Sequence, residues 1–118
     1  MQLKSISGVM YRVKDLKETA AFYEKLGFRM GKQEGNKLTV YVNWFWVEFQ
    51  ATEDAEEIDN KRAGAFLFVS VTDVDEFYEG VKEAGIEPIS EPTDSDMGRR
   101  ELAIMDPDGY RIVFFKKK

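Results

Sequence analysis

The chain has 118 residues, 43% of them hydrophobic and 33% charged, and a net charge of −5; that size allows one domain, or two small modules sharing a core. It contains no cysteine and no histidine, which excludes disulfides, thiolate nucleophiles, cysteine- or histidine-bearing metal sites and a Ser-His-Asp triad. The acidic balance argues against a nucleic-acid partner, no apolar run reaches membrane-spanning length, and no N-terminal hydrophobic stretch reads as a signal peptide, so a cytoplasmic protein with no membrane partner is expected.

In chain order, residues 3–13 read as a first strand, with Val9, Tyr11 and Val13 on one face and Gly8, Met10 and Arg12 on the other. A helix follows over about 16–26. Strands are predicted at 28–33, 38–42 and 44–50, with a hairpin at Gly35-Asn36 and a break at Asn43. Residues 51–63 hold five acids and little apolar content, and read as a solvated linker. A strand at 65–71, a helix over 74–84 and a short strand at 86–89 come next. A polar loop over 91–98 and a strand at 99–105 follow. Asp106-Pro-Asp-Gly109 is a tight turn, and 110–115 is the last strand. The three terminal lysines read as a frayed, solubilising tail.

One pattern occurs twice. Val13–Phe28 returns as Val71–Ile86, placing Asp15 on Asp73, Leu16 on Val74, Glu18 on Glu76 and Gly27 on Gly85. Each copy joins a strand end to an N-capping aspartate, a glutamate three residues later, apolar residues at helical spacing and a glycine stop. The repeat implies an internal duplication. The expected fold class is α+β, with two βαβββ modules, eight strands and two helices: a first module at 1–50, the linker at 51–63 and a second module at 64–118, together one domain over 1–118.

Val-x-Asp-Leu with Phe-Tyr and Leu-Gly-Phe after it, and Asp-Pro-Asp-Gly near the end, resembles the glyoxalase, bleomycin-resistance and extradiol dioxygenase family, also called the vicinal oxygen chelate superfamily. The resemblance covers essentially the whole chain. It implies a glyoxalase-like fold in which two βαβββ modules form curved mixed sheets around a cup. In metal-using relatives, four ligands project from the cup faces. Carried onto this chain, those positions fall on Gly8, Glu48, Phe66 and Val113, of which Glu48 alone can hold a cation. The resemblance is therefore to a metal-less, divergent member, and neither a metal nor another cofactor is expected.

Alternation along the strands sets Met10, Arg12, Tyr41, Trp44, Trp46, Glu48, Phe66, Phe68, Ser70, Ala103, Met105, Arg111, Val113 and Phe115 toward the cup. Val9, Tyr11, Phe45, Val47, Leu67, Val69, Ile112 and Phe114 then face the helices. The tryptophans are either core or dimer-contact residues, or the wall of an aromatic pocket. Glu48 is either a solvated or Arg-paired side chain, with Arg12 and Arg111 as candidates, or a ligand anchor. Arg99 and Arg100 read as solvent-facing edge residues, although the resemblance also allows such a residue at the rim of the cup, and Asp106 and Asp108 read as turn residues. Three functions fit this pattern. The first is a metal-independent protein that sequesters a small aromatic ligand, neutral or cationic. The second is a diverged lyase, isomerase or dioxygenase, with Glu48 as base or in an oxygen-ligand metal site. The third is a dimerising module with no small-molecule ligand. Open sheet edges imply a symmetric homodimer in each case.

Overall fold

The computed structural model describes residues 1–62 and 64–118 and divides into two compact units, Met1–Asn60 and Lys61–Lys118. The first unit contains β1 (Gly8–Val13), α1 (Leu16–Lys25), β2 (Arg29–Glu34), β3 (Lys37–Val42), β4 (Phe45–Ala51) and most of α2 (Ala55–Arg62). The second contains β5 (Phe66–Ser70), α3 (Val74–Glu83), β6 (Thr93–Asp94), β7 (Arg99–Met105) and β8 (Arg111–Lys117). Each unit has one four-stranded mixed sheet, in the orders β1-β4-β3-β2 and β5-β8-β7-β6. The first strand of each sheet runs parallel to the last, and the other neighbours are antiparallel. Among the described residues, no helix is long and apolar enough to cross a membrane.

The duplicated stretch closes both main helices by the same chemistry. Asp15 Oδ1 accepts from the backbone N–H of Lys17 and Glu18, and Asp73 Oδ1 accepts from that of Glu76. At the other end, Gly27 and Gly85 take φ of 95° and 79°. The N–H of Phe28 reaches the carbonyl of Tyr23, and that of Ile86 reaches Val81, so both ends are Schellman closures. Between caps, α1 buries Leu16 and Tyr23 and α3 buries Val74 and Val81. Each full burial of a large apolar side chain contributes about 1.5–3 kcal/mol. The faces they cover carry Tyr11, Val47, Phe49, Ile112 and Phe114, all buried. Tyr23 lies 4.7 Å from Phe49, and Phe77 lies 4.3 Å from Phe114, between ring centroids.

Four elements differ from the expectation. The first strand begins at Gly8, and Leu3 and Ile6 before it are exposed. The expected linker holds a third helix, α2; position 63, the last of the expected linker, lies outside the described residues. Asp54 Oδ1 accepts from the N–H of Glu56, the first turn is acidic as a helix N-terminus favours, and Ile58 is buried. No strand forms at 86–89. Ile89 donates one hydrogen bond to the Ala103 carbonyl, but Pro88 has no N–H to extend a ladder, and the pairing passes to Thr93–Asp94 against Arg100 and Glu101. The terminal lysines are not frayed: β8 runs to Lys117, and Lys118 pairs with Asp94 at 2.8 Å.

Arg100 fastens this second sheet to its helix. Its guanidinium bonds Asp75 through Nε and Nη2, both at 2.8 Å, and Asp94 through Nη1 at 3.0 Å. Hydrogen bonding from Arg100 lowers the Asp75 carboxyl below its usual range, and bonding from Lys118 and then Arg100 lowers that of Asp94.

The capping geometry sets a stability expectation. Asp73→Ala should lower unfolding free energy by about 0.5–2 kcal/mol, measured by urea denaturation; an unchanged midpoint would show that the cap contributes nothing to α3.

Candidate functional site

Because each helix covers one face of its sheet, the alternate residues of the same strands form an open face. In the first unit these residues align in rows across the strands. Arg29, Tyr41, Trp46 and Gly8 are successive register partners; so are Thr39, Glu48 and Met10, and then Lys37, Gln50 and Arg12. The first row is built on two glycines. A Cβ on Gly8 would collide with the Trp46 indole and its carbonyl oxygen, so the ring occupies the space a side chain at position 8 would take. A Cβ on Gly31 would lie 2.6 Å from the Tyr41 ring, which is seated on the irregular stretch of β2 in the same way. The Arg29 guanidinium stacks on the outer side of Tyr41, 4.5 Å from its centroid, and Nη2 donates to the Asn43 carbonyl at 3.2 Å.

Glu48 is half-buried in the second row, between Met10 and Thr39. Its Oε2 accepts from Gln50 Nε2 at 2.6 Å. Arg12 is engaged elsewhere: its Nη1 lies 3.1 Å from Glu57 of α2, whose other oxygen accepts from the Thr52 hydroxyl. The arginine pairing considered for Glu48 is thus replaced by an amide contact. Trp44 does not join this face. It sits in the turn after β3, beside Asn43 at φ 54°, and is 71% exposed. The left-handed Asn43 lies two positions before β4 begins at Phe45, so Trp44 falls in the turn outside the strand's alternation, which is why counting by twos misplaced it.

In the second unit, the open face carries Phe66, Phe68 and Ser70 from β5, then Arg111, Val113, Phe115 and Lys117 from β8. β7 adds Arg99, Glu101, Ala103 and Met105. Phe66, Phe68 and Met105 are exposed, whereas Val113, expected to line the cup, is only 5% exposed between its flanking partners Phe68 and Ala103. The Arg111 guanidinium lies over Phe66 at 5.6 Å. Arg99 is not a solvent-facing edge residue: it lies over Phe68 at 5.1 Å and Phe115 at 5.7 Å, and its Nε donates to Glu101 at 2.7 Å. Glu101 is the residue the sequence reading missed, and Arg99 was placed at an edge or a rim and not on the rings. Stepping back by twos from Met105 and Ala103 finds both. Asp106 and Asp108 serve the turn: both are buried, and Asp106 Oδ1 accepts from the N–H of Asp108 and Tyr110.

These residues do not fit a transition metal. At position 8 the ligand's place is filled by indole, Phe66 and Val113 have no donor atom, and Glu48 is one carboxylate already bonded to an amide. Among the described residues, no group of three carboxylates is disposed to hold a cation.

Comparison with known proteins agrees with this fold. Residues 5–114 match the family model described as Glyoxalase/Bleomycin resistance protein/Dioxygenase superfamily. A curated relative, the metallothiol transferase FosB of Lysinibacillus sphaericus, is 20% identical over 97% of this chain and 83% of its own. Among solved structures, a virulence protein from Salmonella typhimurium superposes with a TM-score of 0.80 at 23% identity over the whole of both chains. A bleomycin-binding protein, in complex with bleomycin, superposes with a TM-score of 0.74 at 23% identity over 98% of this chain and all of its own.

The glycine under Trp46 generates a test. Gly8→Ala in a Trp44→Phe background should displace the indole, shift its emission to longer wavelength and cost about 1–3 kcal/mol of stability by overpacking. Unchanged emission and melting temperature would mean that Trp46 does not need the space above Gly8.

Proposed function

The chain belongs to the Glyoxalase/Bleomycin resistance protein/Dioxygenase superfamily, and from that premise we propose that it is a metal-independent protein that binds a small aromatic ligand, neutral or cationic, against the aromatic wall of its cup. The observation that carries this reading is the Trp46–Glu48 pair. The indole is held flat by a glycine floor and remains only half-buried, with a carboxylate two residues along the same strand face. Small-molecule sites combine such apolar walls with a few polar anchors. A planar ligand stacks on the indole, and its donor or cationic group meets the free oxygen of Glu48. Met10, Arg12 and Tyr41 frame this pair; Phe66, Phe68, Met105, Arg111, Val113 and Phe115 are the corresponding residues of the second unit. The bleomycin-binding relative with this fold supports the ligand class. The four carried-over ligand positions support metal independence, since they supply one carboxylate and no other donor.

The working form is a symmetric homodimer. Both open faces expose large apolar side chains, with Met10 at 41% and Phe68 at 48% exposure, and a second copy would remove such surface from water. Sedimentation at micromolar concentration should return the dimer mass; a monomer mass would refute the assembly.

The ligand site is tested by a thermal-shift screen of aromatic metabolites and antibiotics in buffer containing a chelator, followed by titration of the hit. Trp46→Ala should cost about 1–3 kcal/mol of binding. Glu48→Gln should cost more for a cationic hit than for a neutral one. If both variants bind as tightly as the unmodified protein, the site lies elsewhere; if binding vanishes on chelation, metal independence is wrong.

A further inference from the structure

The open face of the second unit carries more positive charge than the chain's composition suggests. The register brings Arg99, Lys117 and Arg111 onto it with a single acid, Glu101. Three cations against one carboxylate leave a local excess of two positive charges, in a chain whose net charge is −5. Among the described residues Glu101 bonds only Arg99, and no carboxylate pairs with Arg111 or Lys117.

Arg99 is the organised member of this set. Its guanidinium is held over two rings, Phe68 and Phe115, which themselves meet edge to face at 6.1 Å. Nε is taken by Glu101 at 2.7 Å, and the two side chains are 27% and 24% exposed. A guanidinium has five donor hydrogens. Only the one on Nε has an acceptor among the described residues, so the four on Nη1 and Nη2 form an unoccupied fork. Arg100 makes the contrast: its fork is already filled by Asp75 and Asp94, both on the other side of the strand. A fork oriented by stacking and by one tied edge is the arrangement that receives a planar oxyanion through two parallel hydrogen bonds. A part-buried ion pair between two positions of one strand adds little by itself to the fold, so shielding Phe68 and Phe115 would be served as well by an apolar residue at position 99.

We propose that this face is an anion-binding subsite, in which Arg99 receives the carboxylate of an aromatic carboxylic acid while the ring of the acid lies on the Phe68–Phe115 surface and Lys117 adds attraction at the rim. The proposal rests on the reading that the protein binds small aromatic molecules, and it assigns to the second unit's own face one that bears a carboxylate. The specificity element of this face is Arg99, as Glu48 is that of the first unit's face.

Three isosteric probes test it: benzoate, benzamide and benzamidinium, each titrated into the full chain at low salt. The Nε–Hε resonance of Arg99 and the ring resonances of Phe68 and Phe115 are followed by NMR. Benzoate should shift all of them saturably and bind at least tenfold more tightly than benzamide. Benzamidinium should not bind there. Arg99→Lys keeps the charge but loses the fork, and should weaken benzoate at least fivefold with an unchanged circular dichroism spectrum. Benzoate affinity within twofold of wild type in Arg99→Lys overturns the bidentate role. Equal affinity for benzoate and benzamide, preference for benzamidinium, or no saturable shift of Arg99 overturns the subsite. The unmodified protein alone decides these last three, so an unfolded variant leaves the test intact. Failure here is distinguishable from failure of the Trp46–Glu48 site, which is read from the affinities of Trp46→Ala and Glu48→Gln in the first unit.

Discussion

One ten-residue helix per four-stranded sheet is the constraint on which this structure turns. A sheet has two faces, and a single helix can bury only one of them against itself. The side chains on the covered faces are the best buried of the chain: Val13, Val40, Phe49 and Ile104 are wholly inaccessible, and Phe114 is 1% exposed. The alternate residues of the same strands face away from that helix whatever their chemistry, because the period of a strand is two. Trp46, Phe66, Phe68 and Met105 are therefore not misplaced core residues. They stand where the topology leaves a face free, and a large apolar side chain retained there points to something that covers it.

The two units share a frame and differ in how they furnish that free face. Gly8 and Phe66 are equivalent by the internal repeat, and both are opposed by a residue of the parallel neighbour strand: Gly8 by Trp46, Phe66 by Arg111. In the first unit, the small residue lies beneath and the aromatic ring above. In the second, the aromatic ring lies beneath and the guanidinium above. Each pair makes a flat, layered surface, but one ends in an indole and the other in a cation. Duplication thus supplied two copies of one scaffold, and substitution at facing positions topped one with an indole and the other with a guanidinium.

The parts of the fold that follow from local rules were legible in the sequence. Asp15 and Asp73 announce helix starts, Gly27 and Gly85 announce stops, and the strand alternation assigned the open and covered faces of β1, β4, β5 and β8. What was not legible depended on weaker or non-local signals. Helix α2 has almost no amphipathic pattern, yet Asp54 and Glu57 repeat the spacing of Asp15 and Glu18; the capping signal was present, and the acidic composition hid it. β6 is two residues long, and its partner is chosen by where β7 passes, which no local window contains. Trp44 was lost to a single left-handed residue. The partners of Glu48 and Arg12 depend on where Gln50 and Glu57 point, and side-chain direction is decided by packing, not by sequence spacing.

The same reasoning explains why charge on the free faces is informative where charge elsewhere is not. Asp75, Asp94, Arg100 and Lys118 form a mutually satisfied cluster on the helix side of the second sheet, so their charges are spent on holding α3 to β6 and β7. Arg29 and Arg99 are different, because their planar partners include aromatic rings and not carboxylates alone. A guanidinium stacked on an aromatic surface loses little of its hydrogen-bonding capacity, since the ring takes its face and leaves its edge. Aromatic stacking thus orients the cation without neutralising it. A face built this way presents both an apolar surface and a directed charge, which is the combination a protein uses to hold a small planar ion and to reject its neutral isostere.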